Sequence, residues 1–132
     1  MSNERYLIDT NILIYYFNAV IPEDNTFVDK IFEESFNISV ITKVEFLSWR
    51  GFLDDGVSFS KAGQFVKNAH ILNLSDEIVD AAIRIRQERR IKIADAIIAA
   101  TAKVNELILV TRNTKDFKNI DVEIHNPFDE AL

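Results

Sequence analysis

Tyr6-Leu7-Ile8-Asp9-Thr10-Asn11 is the stretch whose reading decides the fold. Tyr6, Leu7 and Ile8 have strand character. After Asp9 the chain turns through Thr10 and Asn11 into a second apolar run, Ile12–Phe17. Taken alone, this is ordinary turn chemistry, with Asp9 starting a turn and Asn11 capping the helix that follows. In an open parallel sheet, however, ligands bind outside the carboxyl ends of the strands, which is where Asp9 would stand. What separates the two readings is whether other carboxylates reach the same edge.

Working outward, Ile12 to Asn18 reads as a helix. Pro22, Asp24 and Asn25 break the chain, and Thr26 opens a helix to about Ser35 with Phe27, Ile31 and Phe32 on one face. Asn37 to Ile41 suits a short buried strand. Thr42-Lys43-Val44-Glu45 has the spacing of a capping box, with Phe46, Leu47 and Trp49 continuing as a helix. Gly51 and Gly56 bracket a break, a weakly patterned helix runs from about Ser60 to Asn68, and His70 to Leu74 suits a strand. Ser75 then caps a long helix whose apolar face is Ile78, Ala81, Ala82 and Ile85. A basic run, Arg84, Arg86, Arg89, Arg90 and Lys92, ends it.

Ile93-Ala94-Asp95 opens an Ala-rich helix through Val104 that is apolar nearly all round, and so is expected to be buried. Leu107 to Val110 is a strand leading into Thr111-Arg112-Asn113. A short element at Asp116–Lys118 and a last strand near Val122–Ile124 complete the chain. Strands alternating with helices predict an α/β fold, with a mostly parallel central sheet flanked by helices. The 132 residues suffice for one domain spanning 1–132, and no repeat or linker interrupts them.

Composition narrows the chemistry. Without cysteine, disulfides and thiolate zinc sites are excluded. With only His70 and His125, so is a histidine-rich metal centre; any metal would be held by oxygen, which favours Mg²⁺ or Mn²⁺. Neither histidine stands in a nucleophile context, and three glycines leave no Gly-rich phosphate loop. His70 reads as a strand residue and His125 as a surface one. The net charge of −6 argues mildly against nucleic-acid binding, although a carboxylate metal site is itself acidic until loaded. No leader pattern or membrane-length apolar run is visible, so a soluble cytoplasmic protein with no membrane partner is expected.

Four acids share one kind of position. Asp9 and Glu45 are each expected just beyond a strand and near a helix start, Asp116 a few residues past the Leu107–Val110 strand, and Asp95 in the first turn of the Ala-rich helix. Each has its own structural explanation: turn former, capping-box partner, helix-dipole complement or solvated turn residue. Those explanations do not account for an Asp inside Ile-Ala-Asp-Ala-Ile-Ile-Ala-Ala, where burying an unpaired charge is costly. Clustered carboxylates repel and raise one another's pKa unless a cation neutralises them, the arrangement needed for metal-assisted phosphodiester hydrolysis. Thr10, Asn11, Thr111 and Asn113 are candidates to orient waters or phosphate oxygens.

The chain resembles the PIN domains, and more narrowly the VapC ribonuclease toxins of toxin–antitoxin pairs. Four pieces carry the resemblance, in family order: Leu7-Ile8-Asp9-Thr10-Asn11, Thr42-Lys43-Val44-Glu45-Phe46, Ile93 to Ala102, and Val110-Thr111-Arg112-Asn113-Thr114-Lys115-Asp116-Phe117. It implies a PIN-like fold and Mg²⁺- or Mn²⁺-dependent endoribonuclease activity. Asp9, Glu45, Asp95 and Asp116 would be the catalytic and metal-binding acids, and Thr111 and Asn113 polar supporting residues. It also implies a homodimer and an antitoxin partner bound in a hydrophobic groove, a surface for which Phe46, Trp49, Phe52 and Phe59 are candidates, with burial in the core as their alternative.

The basic run holds five of the chain's 15 Lys and Arg, and Arg86, Arg89, Arg90 and Lys92 are candidate RNA contacts beside Asp95; a solvated helix end is the alternative. A housekeeping RNA-processing nuclease and a catalytically silent binding module are the competing readings. A phosphoacceptor receiver would require a lysine partner for its Asp, and no lysine has that context.

Overall fold

The computed structural model describes residues 5–18 and 26–128. The chain break read at Pro22, Asp24 and Asn25 lies outside these residues. Five short strands, β1 (Tyr6–Ile8), β2 (Asn37–Ser39), β3 (His70–Leu72), β4 (Ile108–Val110) and β5 (Ile124–His125), form one sheet. Its order is β3-β2-β1-β4-β5, and every pairing is parallel. The helices are α1 (Thr10–Phe17), α2 (Thr26–Glu34), α3 (Val40–Leu47), α4 (Gly56–Val66), α5 (Asp76–Glu88) and α6 (Ile93–Val104), with 3₁₀ turns at Arg50–Phe52 and Thr114–Phe117.

Side chains alternate across a strand, so β1 and β4 each feed both layers. Leu7 and Leu109 point into a core with Ile78, Ala81, Ala82 and Ile85 of α5 and the alanines of α6. Ile8 and Val110 point the other way, among Ile12, Leu13, Val28, Ile31, Phe46 and Phe52. Both faces being covered is why the strands read as continuous apolar runs. Burying each such Leu or Ile contributes about 1.5–3 kcal/mol. The small residues Ala96, Ala99, Ala100 and Ala102, all fully buried, let α6 lie close against its neighbours.

Several local boundaries differ from the sequence reading, each for an identifiable reason. The cap of α1 is Asp9, not Asn11: its carboxylate accepts from the Thr10 N–H, and Asn11 is already helical. β2 stops at Ser39, whose hydroxyl accepts from the Ile41 N–H and starts α3. Thr42 and Glu45 therefore form no capping box; Glu45 is the sixth residue of the helix, too far along for the N-terminal dipole to act on it.

Trp49 falls beyond α3, and its indole lies where a Cβ on Gly51 would be. Asp55 caps α4 through the Ser58 N–H, which moves that helix forward to Gly56–Val66. The last strand is Ile124–His125, so His125 is half-buried against the ring of Phe27 at 4.2 Å rather than on the surface. Of the four aromatics considered for a surface role, Phe46 and Phe52 are core, Trp49 packs against that core, and Phe59 is exposed.

Candidate active site

The chain lays β1, β2 and β3 outward in one direction and then returns to place β4 and β5 on the other side of β1. The order reverses between β1 and β4, and a crevice opens at the carboxyl ends of strands at such a point. Ile8 pairs with Val110, so the next residues, Asp9 and Thr111, face each other across it. Both are buried, Asp9 with 4% of its surface exposed and Thr111 with none.

Three donors hold the Asp9 carboxylate: the Thr10 N–H at 2.8 Å on Oδ1, and the Thr111 hydroxyl at 2.7 Å and Asn11 Nδ2 at 3.1 Å on Oδ2. The Thr111 oxygen in turn accepts from the Asn113 N–H at 3.0 Å. Asn11 Oδ1 accepts from the Arg112 N–H at 3.2 Å. Thr111 and Asn11, considered from sequence as water- or phosphate-orienting groups, thus direct their donors at Asp9 itself. Despite these bonds the Asp9 pKa is raised to about 6: burial outweighs them, and the charges of Asp95 and Glu45 push the same way.

Glu45 projects from α3 towards the start of α1. Its Oε1 accepts from the Thr10 hydroxyl at 2.7 Å, and Thr42, one turn earlier on the same face of α3, brings its hydroxyl within 3.1 Å of Thr10 Oγ1. Thr10 thus ties Glu45 to Asp9, donating its hydroxyl to the one and its N–H to the other. Asp95 is half-buried in the first turn of α6, and its pKa is raised by burial first and then by Asp116 and Glu45, with Lys92 opposing. Asp116 is exposed on the 3₁₀ turn Thr114–Phe117, which is anchored by fully buried Phe117.

Asp9, Glu45 and Asp95 therefore lie within one another's electrostatic reach at one sheet edge, and Asp116 reaches the group through Asp95. Among the described residues, no three Asp, Glu or His side chains converge as a ready-made metal shell. The donor set nonetheless fits a hard divalent cation: it is all oxygen, and its innermost member is a buried carboxylate whose charge no cationic side chain among the described residues contacts.

Of the basic candidates, Lys92 reaches this cluster, through its effect on Asp95. Arg86 folds back to donate to the Ile91 carbonyl at 3.1 Å, Arg89 is half-buried at the end of α5, and Arg90 is exposed. None of these three is seen to engage the acids. Two groups escaped the sequence reading: the Thr42 hydroxyl, taken for a cap, and Arg112, whose guanidinium lies over the rings of Tyr15 and Phe128. No local pattern announces either, because their partners are distant in sequence. A cleft of about 900 Å³ opens at the opposite, amino-terminal edge of the sheet, near Arg5, Phe27, Asn37 and His70, and holds none of the four acids.

A sequence model of the PIN domain family matches residues 6–123. Among solved structures, a toxin–antitoxin complex from Klebsiella pneumoniae contains a chain 32% identical to this one, with a TM-score of 0.74 over 92% of this chain and 97% of that one. FitAcB from Neisseria gonorrhoeae is similar at 27% identity, covering 93% and 98% with a TM-score of 0.76. DNA-bound VapBC from Salmonella typhimurium shares the fold at 20% identity, covering 94% and 98% with a TM-score of 0.77. No curated protein matched in sequence. With its parallel sheet, its acid-bearing carboxyl edge and a family match running from β1 to the threshold of β5, the chain belongs to the PIN-domain family and resembles the VapC-like members found in toxin–antitoxin complexes.

Proposed function

We propose that the chain is a single nuclease domain, a metal-dependent endoribonuclease that hydrolyses RNA phosphodiester bonds as the toxin of a toxin–antitoxin pair. The observation that carries this reading is the buried, triply hydrogen-bonded Asp9 carboxylate, whose pKa of about 6 reflects burial and the nearby Asp95 and Glu45. Membership of the PIN family supports nuclease chemistry, and the 32% identical chain in a toxin–antitoxin complex supports an antitoxin partner.

Asp9 and Asp95 would hold Mg²⁺ or Mn²⁺, with Glu45 and Asp116 completing the acidic set. When bound, such an ion lowers the pKa of water and neutralises charge developing on the phosphodiester. Thr111 and Asn11 orient Asp9 so that its oxygens are fixed before any ligand arrives. Glu45, exposed and bonded through Oε1 to Thr10, would take a proton from the attacking water. Hydrolysis then adds hydroxide to phosphorus and a proton to the departing ribose oxygen. Asn113 and the basic residues Arg86, Arg89, Arg90 and Lys92 remain candidates to contact RNA.

Exposed Val44, Leu53, Val57 and Phe59 support an apolar contact surface for the antitoxin or for a second copy in a homodimer. No helix among the described residues is long and apolar enough to cross a membrane, and action in the cytoplasm is part of the proposal.

The test incubates wild type and Asp95→Asn with total cellular RNA and Mg²⁺ or Mn²⁺, with EDTA controls and thermal unfolding in parallel. Metal-dependent fragments from wild type alone, at equal folding, are expected. Cleavage by neither protein would remove the nuclease reading, and cleavage by both would remove Asp95 from the mechanism.

A further inference from the structure

We propose that Arg112, held over the rings of Tyr15 and Phe128, is a preorganised docking point for an RNA backbone phosphate beside the scissile one. The proposal rests on the ribonuclease reading above and deepens it. The residue follows Thr111 directly, and its N–H donates to Asn11 Oδ1, while Asn11 Nδ2 donates to Asp9. Its backbone is thereby tied, through one side chain, to the innermost acid of the site.

The guanidinium carbon lies 4.5 Å from the centre of the Phe128 ring and 5.3 Å from that of Tyr15. The two rings meet edge to face at 5.7 Å and 79°. Phe128 is set by its own turn, in which its N–H donates to Asn126 Oδ1 at 3.0 Å, and both rings pack against the core on the α1 side of the sheet. Ring contact engages the faces of a guanidinium and leaves the N–H groups on its edge. Among the described residues, Arg112 is exposed and its side chain makes no hydrogen bond.

A planar fork with free edge donors matches two phosphate oxygens at once, and a fork already held in place loses less freedom on binding. Charge makes the role specific. The chain carries −6 overall, and the acids repel a polyanion until a cation is bound. Lys92 lies near enough to Asp95 to lower its pKa, and Arg112 directly follows Thr111, the donor to Asp9, so each belongs to a segment that carries or holds one of the acids.

The experiment measures anisotropy of a fluorescein-labelled single-stranded RNA oligonucleotide against salt. It uses Asp95→Asn protein in Mg²⁺, so that binding is read without turnover, and thermal unfolding is followed for every variant. Adding Arg112→Gln is expected to weaken binding about tenfold and to reduce the slope of log affinity against log salt by about 0.7, the signature of one lost single-strand phosphate contact. Arg112→Lys keeps the charge and is expected to keep the slope while losing several-fold affinity. Tyr15→Leu should do the same, because the fork is then no longer held.

If Arg112→Gln binds with unchanged slope and affinity, Arg112 only fastens α1 to the β4 loop and the proposal fails. Should that variant not fold, unchanged affinity in both Arg112→Lys and Tyr15→Leu overturns it equally. A parent protein that binds no RNA, with wild type that cleaves none, overturns the ribonuclease reading itself. That outcome is distinct from a binding parent indifferent to Arg112.

Discussion

The Thr111 hydroxyl donates to Asp9 Oδ2 at 2.7 Å across 102 residues of chain, joining the ends of two neighbouring parallel strands. The bond is buried, so its strength depends on the charge of the carboxylate it meets. Thr111→Val preserves shape and removes this donor together with the acceptor for the Asn113 N–H, a loss that does not vary with the charge of Asp9. We expect a loss of about 1.5–3 kcal/mol at pH 8, where Asp9 is ionised, and a smaller loss near pH 4.5, where it is protonated. Urea unfolding of both proteins at the two pH values measures this; an equal loss at both would mean that the carboxylate charge plays no part.

Asp9 also predicts how stability depends on pH without metal. Its folded pKa of about 6 lies above its ordinary value of 3.8, so over that interval the folded chain holds a proton that the unfolded chain has released. Stability from this group is full below about pH 4, falls as pH rises to about 6, and then levels off, with a total change of about 3 kcal/mol from 1.36 kcal/mol per pKa unit. The raised pKa of Asp95 acts in the same direction. Asp9→Asn should therefore be more stable than wild type at pH 8 and nearly equal to it at pH 4. Urea titrations in EDTA across that range would contradict this if the two curves stayed parallel.

Adding a divalent cation should reverse the penalty. At pH 8, Mg²⁺ or Mn²⁺ at a hundredfold excess over its dissociation constant would stabilise wild type by about 2.7 kcal/mol. Asp9→Asn, lacking the innermost carboxylate charge, should gain far less. Thermal shift against metal concentration reads both, and equal gains would place the ion elsewhere.

A fourth expectation concerns stability away from the site. At the end of α6, the Leu107 N–H donates to the Ala102 carbonyl and the Glu106 N–H to the Lys103 carbonyl, which leaves Glu106 at φ 53° in the left-handed region. Glycine is the residue such a helix ending favours. Glu106→Gly should stabilise the protein by up to about 1 kcal/mol, because a left-handed residue with a Cβ costs about 1–2 kcal/mol, partly offset by glycine's greater freedom when unfolded. A rise in Tm of up to about 4 °C would be its sign, and a fall would show that the Glu106 side chain contributes more than its backbone strain costs.

Legibility of the fold followed the range of the forces involved. The alternation of apolar strands with helices, the buried character of α6 and the Ser75 cap of α5 are short-range properties, readable from neighbours a few residues apart. Helix starts were harder wherever two capping candidates stood close together. At Asp9 against Asn11, and Ser39 against Thr42, the earlier residue capped the helix. Thr42, already inside the helix that Ser39 starts, has its hydroxyl bonded to Thr10 instead.

By itself, the sequence determined the residue types available to the chemistry: four carboxylates in an α/β alternation, no thiol and few imidazoles, hence an oxygen-only site and a resemblance to one family. Tertiary structure decided how those residues act. The reversal of strand order at β1 and β4 made Asp9 and Thr111 neighbours, and burial turned an ordinary aspartate into one with a pKa of about 6. The same closure brought Tyr15, Arg112 and Phe128 into one cluster. Sequence patterns report contacts only within a turn or a strand, whereas desolvation and charge coupling depend on distances set when remote segments pack together.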